Sequence, residues 1–513
     1  MTRHNPGLRR IRTRLFLLLP VIAALHCAAL SVHAAERLTI LHINDFHGRV
    51  FPITDKPADR MRPMGGAAYL AAMIEAEKTR NPRGVILLSA GDMFQGTPIS
   101  QMFQGRPVLE MMNGLHFDAM TLGNHEFDWG RTALAGIIKG AAFPVLSANI
   151  VDRTGNYLSG VRPYILLERK GVKIAVIGLT TPETPYATKA ENVRGLTFLD
   201  PARVLPGLLT EVRRKGATLI VLLTHLGLDE DTRLAAAVEG IDVIVGGHSH
   251  TVVTDPVTVG RTIIVQAGFY GLYLGVLELT VDEKTGTIEA ATKKGELKVV
   301  SAGPKDPFDE RIARTANGYR EKTSAIFRRV VGETRVALTR HADGESLLGD
   351  VIADAMRESV NAEVAIQNSG AIRADIPAGR ITMEQVSTVL PFDDMLVAMD
   401  LSGAALLGLL EKSIGRDKGM LQVSGLEVRY EVASPGEKRV KEVRVGGAPL
   451  DASRMYRVVT NDFLAAGGDR LDGFQKGLHL TYGGAVRDAF IAYLKGHSPL
   501  APRTEERIVM KGR

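Results

Sequence analysis

Short apolar runs recur through the first half of the chain, each ending in a polar or glycine-containing loop. Leu38–Ile43, Val85–Ser89, Ala119–Leu122, Val145–Ser147, Lys173–Leu179, Thr218–Leu223, Asp242–Val245, Thr262–Gln266 and Leu274–Thr280 are strand candidates. Their β-branched and Leu-rich runs are continuous rather than alternating, as in strands covered on both faces. Ala67–Lys78 and Val204–Lys215 carry helical spacing and read as crossovers between strands. This rhythm predicts an α/β domain.

A polar turn, Asp282 to Gly286, closes that rhythm, and the stretch from Lys293 to Lys305 reads as polar connection. Pro307 to about Arg329 then reads as one charged helix. A new unit starts near Val331. In it, Ser346–Val360 places Leu347, Leu348, Val351, Ile352, Ala355 and Met356 on one stripe, with Ser346 as N-cap. Ala404–Ser413 follows as a helix capped by Ser402, and short strands fill the rest. The expected organisation is residues 35–303, a linker helix at 304–330, and a second α/β unit at 331–513.

The first 34 residues break this pattern. Five arginines precede an apolar run from Leu15 to Leu30, and Val32-His33-Ala34 offers small residues for cleavage. A basic head, short apolar body and small-residue site describe a secretory signal peptide cleaved near Ala34. The alternative is a membrane anchor, for which the run is short and interrupted by Pro20. The leader carries no acid, so its arginines account for most of the formal charge of +6. The remaining chain gives a nucleic-acid surface no support. Cys27, the single cysteine, lies in the leader, where bulky His26 makes it a poor lipid-attachment site. A mature chain without cysteine relies on its core and on bound metals. The expectation is a periplasmic or secreted protein with no membrane anchor in its mature form.

Chemistry gathers at five strand ends. Asp45 and His47 follow the first strand, Asp92 the second and Asn124 the third. His225 ends a later strand, and His248 and His250 follow Gly246-Gly247. In open α/β sheets the strand C-termini share one rim, so separate loops can converge there. Aspartate, asparagine and histidine suit borderline divalent ions such as Zn or Mn. Two ions close together need a bridging carboxylate, and Asp92 stands in a central loop. The expected first set is Asp45, His47, Asp92 and His250; the second is Asp92, Asn124, His225 and His248. Taken singly, Asp45-Phe-His47 reads as an ordinary loop and His225 as a hydrogen-bonded strand-end histidine. Together they read as a two-metal centre.

Asn44-Asp-Phe-His-Gly48, Gly91-Asp92, Gly123-Asn-His-Glu-Phe-Asp128, Thr224-His225 and Gly247-His-Ser-His250 resemble the signature of the 5′-nucleotidase family. That family includes bacterial periplasmic UDP-sugar hydrolases and animal ecto-5′-nucleotidases. The resemblance implies a four-layer α/β/β/α metallophosphatase domain, a hinge helix and a second α/β substrate-binding domain. By the same resemblance, His125 and Asp128 form the catalytic dyad, with His125 facing the phosphate and Asp128 keeping it protonated.

In the second unit, Phe392 and Phe463 lie beside turn formers and acids, either as core residues or as two faces for a flat base. Arg373 offers a planar fork for phosphate or carboxylate, and Asp469 an acceptor for ribose hydroxyls. These stretches resemble the family's nucleoside-binding domain, which carries the substrate role to Asn368, Arg373, Phe392, Phe463 and Asp469. One departure stands out: members have further arginines before the helix that starts near Leu347, and here the nearest base is Arg340. The expected function is an exported two-metal hydrolase of nucleoside 5′-monophosphates. Its rivals are a UDP-sugar or dinucleotide pyrophosphatase, a 2′,3′-cyclic phosphodiesterase with 3′-nucleotidase activity, and, more remotely, a non-catalytic periplasmic binding protein.

Overall fold

A computed structural model describes residues 35–54, 63–282, 284–289, 294–341, 344–415, 419–431 and 439–510. The signal-peptide reading of residues 1–34, Cys27 included, lies outside the described residues.

Two sheets make the middle of the N-terminal domain. One has seven strands in the order Lys294–Val299, Tyr273–Asp282, Ala35–Ile43, Val85–Ser89, Ala119–Thr121, Val145–Leu146, Val161–Arg162. The other has six, in the order Val257–Val259, Thr262–Val265, Val243–Val245, Leu219–His225, Val172–Thr180, Tyr164–Arg169. The central strands of each run parallel. Alternation along Ala35–Ile43 explains the layering. Leu38 and Ile40 point between the sheets, where they meet Leu88, Ile174, Val176 and Val221. Leu41 and Ile43 point outward to Leu70, Ile74, Val108 and Met112 on the helices Ala67–Arg80 and Arg106–Leu115. Across the second sheet, Ile177, Leu179 and Leu222 meet Leu205, Leu209 and Leu234 on the helices Pro201–Arg214 and Leu228–Ala237. The result is α/β/β/α. Truncating Ile40 or Ile174 to alanine removes contacts from a closed layer and costs about 2–5 kcal/mol.

Sequence and structure differ at the edges. Lys294–Val299, read as polar connection, is an edge strand paired antiparallel with Tyr273–Asp282. An edge strand covers little, so its Lys and Glu residues hide the signal. The helix Pro201–Arg214 begins earlier than its apolar spacing suggests. Asp200 caps it and Pro201 sits in the first turn, where a missing N–H costs nothing.

The helix Glu310–Phe327, capped by Asp309, buries Ile312 and Ala316 in the outer core of the N-terminal domain. Beyond it, a five-stranded sheet runs Leu421–Ser424, Val364–Asn368, Met455–Asn461, Met395–Ser402, Leu478–Ala485. Leu347–Ser359, capped by Ser346, covers one face together with Val486–His497. Gly403–Ser413, capped by Ser402, covers the other. The short helix Met383–Val389 opens on a capping box of Thr382 with Gln385, a local signal that its brevity obscures. Val486–His497 opens directly from a strand without a side-chain cap.

Candidate active site

The parallel strands of both sheets end on one rim, and every expected metal ligand stands there. Asp45, His47, Asp92, His248 and His250 all adopt left-handed backbone, with φ of 49°, 49°, 53°, 78° and 57°. Side chains resist that region at about 1–2 kcal/mol per residue, so these turns are held by their surroundings. Gly123 shows how closely the loops approach: a Cβ there would lie 2.2 Å from Asp92 Oδ1.

Two donor clusters result. In the first, His250 Nε2 lies 3.1 Å from His47 Nε2 and 3.3 Å from Asp45 Oδ1. In the second, Asp92, His225 and His248 present ligand atoms within 4.8 Å of one another, and His225 Nε2 is 3.0 Å from Asp92 Oδ2. Asn124 is buried in the adjoining loop.

These residues fit divalent ions on their own hydrogen bonding. The Nδ1 atoms of His47 and His225 face the carbonyls of Gln95 and Ala90 at 2.9 and 2.7 Å. Each ring therefore donates outward and turns its Nε2 lone pair to the centre. Asp45 Oδ1 and Asn124 Oδ1 are buried without a hydrogen-bond partner, and His225 Nε2 is buried against Asp92 Oδ2. Burial and the neighbouring His250 hold His47 well below the ordinary histidine value, which keeps it neutral. Burial opposes charge on His225 too, but Asp92 and Asp45 overcome it and raise the ring to about 10. Unpaired donor atoms in a field that attracts positive charge are the chemistry of a metal site.

His125 opens a single turn after Asn124. Its Nδ1 meets Asp128 Oδ2 at 2.7 Å, and Asp128 Oδ1 accepts from Thr188 Oγ1 at 2.8 Å. Burial works against the imidazolium, yet Asp128 and Asp92 outweigh it and raise His125 above its ordinary value.

A cavity of about 1310 Å³ joins this rim to the C-terminal domain. Asp92, Asn124, His125, Asp128, His248 and His250 line one side, and Asn368, Arg373, Phe392, Phe463 and Asp469 the other. Asp45, His47 and His225 sit beneath the surface, at most 1% exposed. Phe392 stacks against His125, with centroids 5.8 Å apart. Asn368 Nδ2 donates to Asp469 Oδ2 at 3.0 Å, and Asn461 holds Asn368 Oδ1 from behind at 3.0 Å. Arg340 does not line the cavity; its backbone N–H and guanidinium turn to Asp375, yet its charge reaches Tyr270, which packs on His47 and His250.

Several residues escaped the sequence reading. Glu126 accepts from the backbone N–H groups of Asp92, Met93 and Gly123, at 2.9, 2.9 and 2.6 Å, and so ties two ligand loops together. An acid inside Asn124-His-Glu-Phe-Asp128, flanked by ligand candidates, was a signal for it. Lys189 donates to Asp393 O and Asp462 Oδ2, at 2.7 and 2.8 Å, and Arg470 pairs with Glu183 at 2.7 Å. These contacts join the domains across the cavity mouth, and no local pattern announces them.

Known proteins account for both parts. Residues 38–252 match the calcineurin-like phosphoesterase family, and residues 330–476 match the 5′-nucleotidase C-terminal domain. The chain is 33% identical over 554 residues to snake venom 5′-nucleotidase of Crotalus adamanteus, covering 96% of this chain and 92% of that one. It is 31% identical over 526 residues to the trifunctional nucleotide phosphoesterase protein YfkN of Bacillus subtilis, covering 92% of this chain but only 35% of that longer protein. The crystal structure of a 5′-nucleotidase precursor from Thermus thermophilus superposes with a TM-score of 0.85 at 34% identity, covering 93% of this chain and 99% of that one. With the two-cluster rim and both family domains in one chain, the protein belongs to the 5′-nucleotidase family of metal-dependent phosphohydrolases.

Proposed function

We propose that the protein is an exported 5′-nucleotidase that releases phosphate from nucleoside 5′-monophosphates with two divalent ions, Zn, Mn or similar. The observation that carries this reading is the single cavity. It places two donor clusters and a histidine backed by Asp128 opposite two aromatic rings. Asp45, His47, Asp92 and His250 would hold one ion; Asp92, Asn124, His225 and His248 the other. When bound, such ions supply Lewis acidity and charge neutralisation for phosphoester hydrolysis.

The chain's own residues do the rest. His125, kept protonated by Asp128, directs Nε2–H at the phosphoryl oxygens and stabilises charge that grows on them. Arg373 approaches from the other domain, its guanidinium 6.0 Å from the Phe392 ring centre, and holds phosphate oxygens. Phe392 and Phe463 face the base, and Asn368 and Asp469, already bonded to each other, orient the ribose. Export rests on the leader pattern. No helix among the described residues is long and apolar enough to cross a membrane.

Phosphate release from AMP with added Mn²⁺ or Zn²⁺, abolished by a chelator, is the expected result. A protein that spares AMP but cleaves UDP-glucose, NAD or a cyclic nucleotide would overturn the substrate assignment. One observation favours that second reading. The cavity continues past His248 to Phe198, Pro201, Leu228 and Arg233, more room than a mononucleotide fills.

A further inference from the structure

Three acids open the helix Leu228–Ala237. Asp229 and Glu230 are exposed; Asp231 is fully buried. Neither Asp231 carboxyl oxygen reaches solvent, and the one side-chain group that bonds to the carboxyl is the Thr224 hydroxyl. The side chain is outside the donor clusters and does not line the cavity. A buried acid without a ligand, a substrate or a salt bridge needs another reason to be there.

Its neighbours supply one. Thr224 Oγ1, on the residue before His225, is also buried and acts directly on the Asp231 carboxyl. On the other side lies Gly246. A Cβ there would stand 2.3 Å from Asp231 Oδ2 and 3.4 Å from Gln266 Nε2. Gly246 is not among the residues with positive φ, so glycine is needed for room and not for conformation. The carboxyl therefore fills the space that a side chain on the Gly246-Gly247-His248 turn would take. Through Asp231 N to Gly227 O, at 2.9 Å, the same residue is tied to the helix start just after His225. The rings that follow these two turns, His225 and His248, meet edge to face with centroids 5.0 Å apart. Every neighbouring ligand loop has a comparable buried strap. Asn44 binds Ala267 N and Gly268 O beside Asp45, Glu126 joins the Asp92 and Gly123 loops, and Gln266 holds Gly247 O and Thr251 N. Burial pushes the Asp231 carboxyl up to about 8, against the Thr224 hydroxyl and His225, which both favour its charged form.

We propose that Asp231 is a positioning residue that braces the Thr224–His225 strand end against the Gly246–His248 turn and so sets the spacing of the two histidines at the second metal position. It rests on the assignment of His225 and His248 to one ion. Asp231→Leu keeps an apolar filler but loses both polar atoms, and Asp231→Asn keeps an acceptor at similar size. Ion binding would be measured on the whole protein by titration with Mn²⁺ and Zn²⁺, alongside the melting temperature of the chelated form. The second ion should bind about 10- to 100-fold more weakly in Asp231→Leu, with the first unchanged, while Asp231→Asn stays within a few-fold of the parent. Should Asp231→Leu fail to fold, Thr224→Val tests the same contact from its other end and should show the same selective loss. Two ions bound at parental affinity in the folded Leu or Val variant would overturn the proposal. So would a lowered melting temperature alone, which marks a brace of the core. His248→Ala separates the premise from the inference. If that variant still binds both ions tightly, the ligand assignment fails; if it loses one and Asp231→Leu loses none, only the positioning role fails.

Discussion

On the metallophosphatase side of the cavity, Asp45, His47, Asp92, Asn124 and His225 are at most 3% exposed, and their loops are strapped by Asn44, Glu126 and backbone carbonyls. On the opposite side Arg373, Phe392, Phe463 and Asp469 are only half-buried, and Arg373 is held by one long bond to Gly370 O at 3.3 Å. The difference follows the tasks. Donor atoms for an ion must be fixed to a few tenths of an ångström, so most are buried and strapped, with only His248 and His250 half-buried at the rim. A base can be gripped by rings with freedom to adjust, because stacking tolerates small offsets. Changes on the first side should therefore abolish chemistry, and changes on the second should rescale it.

The hardest blow to the rigid side is Asp92→Asn. Asp92 belongs to the second cluster and is the proposed bridge to the first, so this change should remove metal and lower turnover by more than about 10³-fold, beyond the loss of one oxyanion donor. Two ions per chain with near-normal turnover would remove Asp92 from its bridging place. Next comes His125→Ala, expected to lower kcat by roughly 10²- to 10³-fold with metal content intact. A metal-depleted variant would instead make His125 a ligand.

Phe463→Ala probes the adjustable side. Losing one stacking face should lower kcat/KM for AMP by roughly 5- to 150-fold and largely spare p-nitrophenyl phosphate. Equal loss on both substrates with a collapsed melting temperature would make Phe463 a core residue, since truncating a buried Phe costs about 3–5 kcal/mol. The smallest effect belongs to Lys189→Met at the domain contact. A partly exposed pair contributes about 0.2–1 kcal/mol, so KM for AMP should rise about two- to fivefold with kcat little changed. An unaltered KM would show that the contact does not help close the cavity.

Much of this plan was legible in the sequence where burial is two-sided. Leu38–Ile43 and Val85–Ser89 are dominated by apolar residues because both faces are covered, and the ligand candidates stand out in the polar loops just after such runs. Lys294–Val299 was illegible because it lies at an edge with one partner. The left-handed backbone at Asp45, His47 and Asp92 was equally hidden, since local propensity argues against it and only the assembled rim imposes it. Lys189 and Glu183 gain meaning only from Asp462 and Arg470, more than 250 positions further along the chain. Glu126 lay between legible and hidden: it stands inside the ligand motif, but its three backbone donors come from loops that meet only in the fold.

The contacts across the cavity mouth carry one more consequence. Lys189 with Asp462 and Asp393, Arg470 with Glu183, and Gln101 with Asp393 are polar and largely within reach of water. Each domain, by contrast, is closed around its own apolar core. Charges near water are screened within about 8 Å at physiological ionic strength and about 3 Å at 1 M salt, whereas apolar packing is not screened. Ionic strength therefore acts on the seam between the domains and leaves each domain intact, which makes dissolved salt a graded handle on how tightly the two halves meet around a substrate.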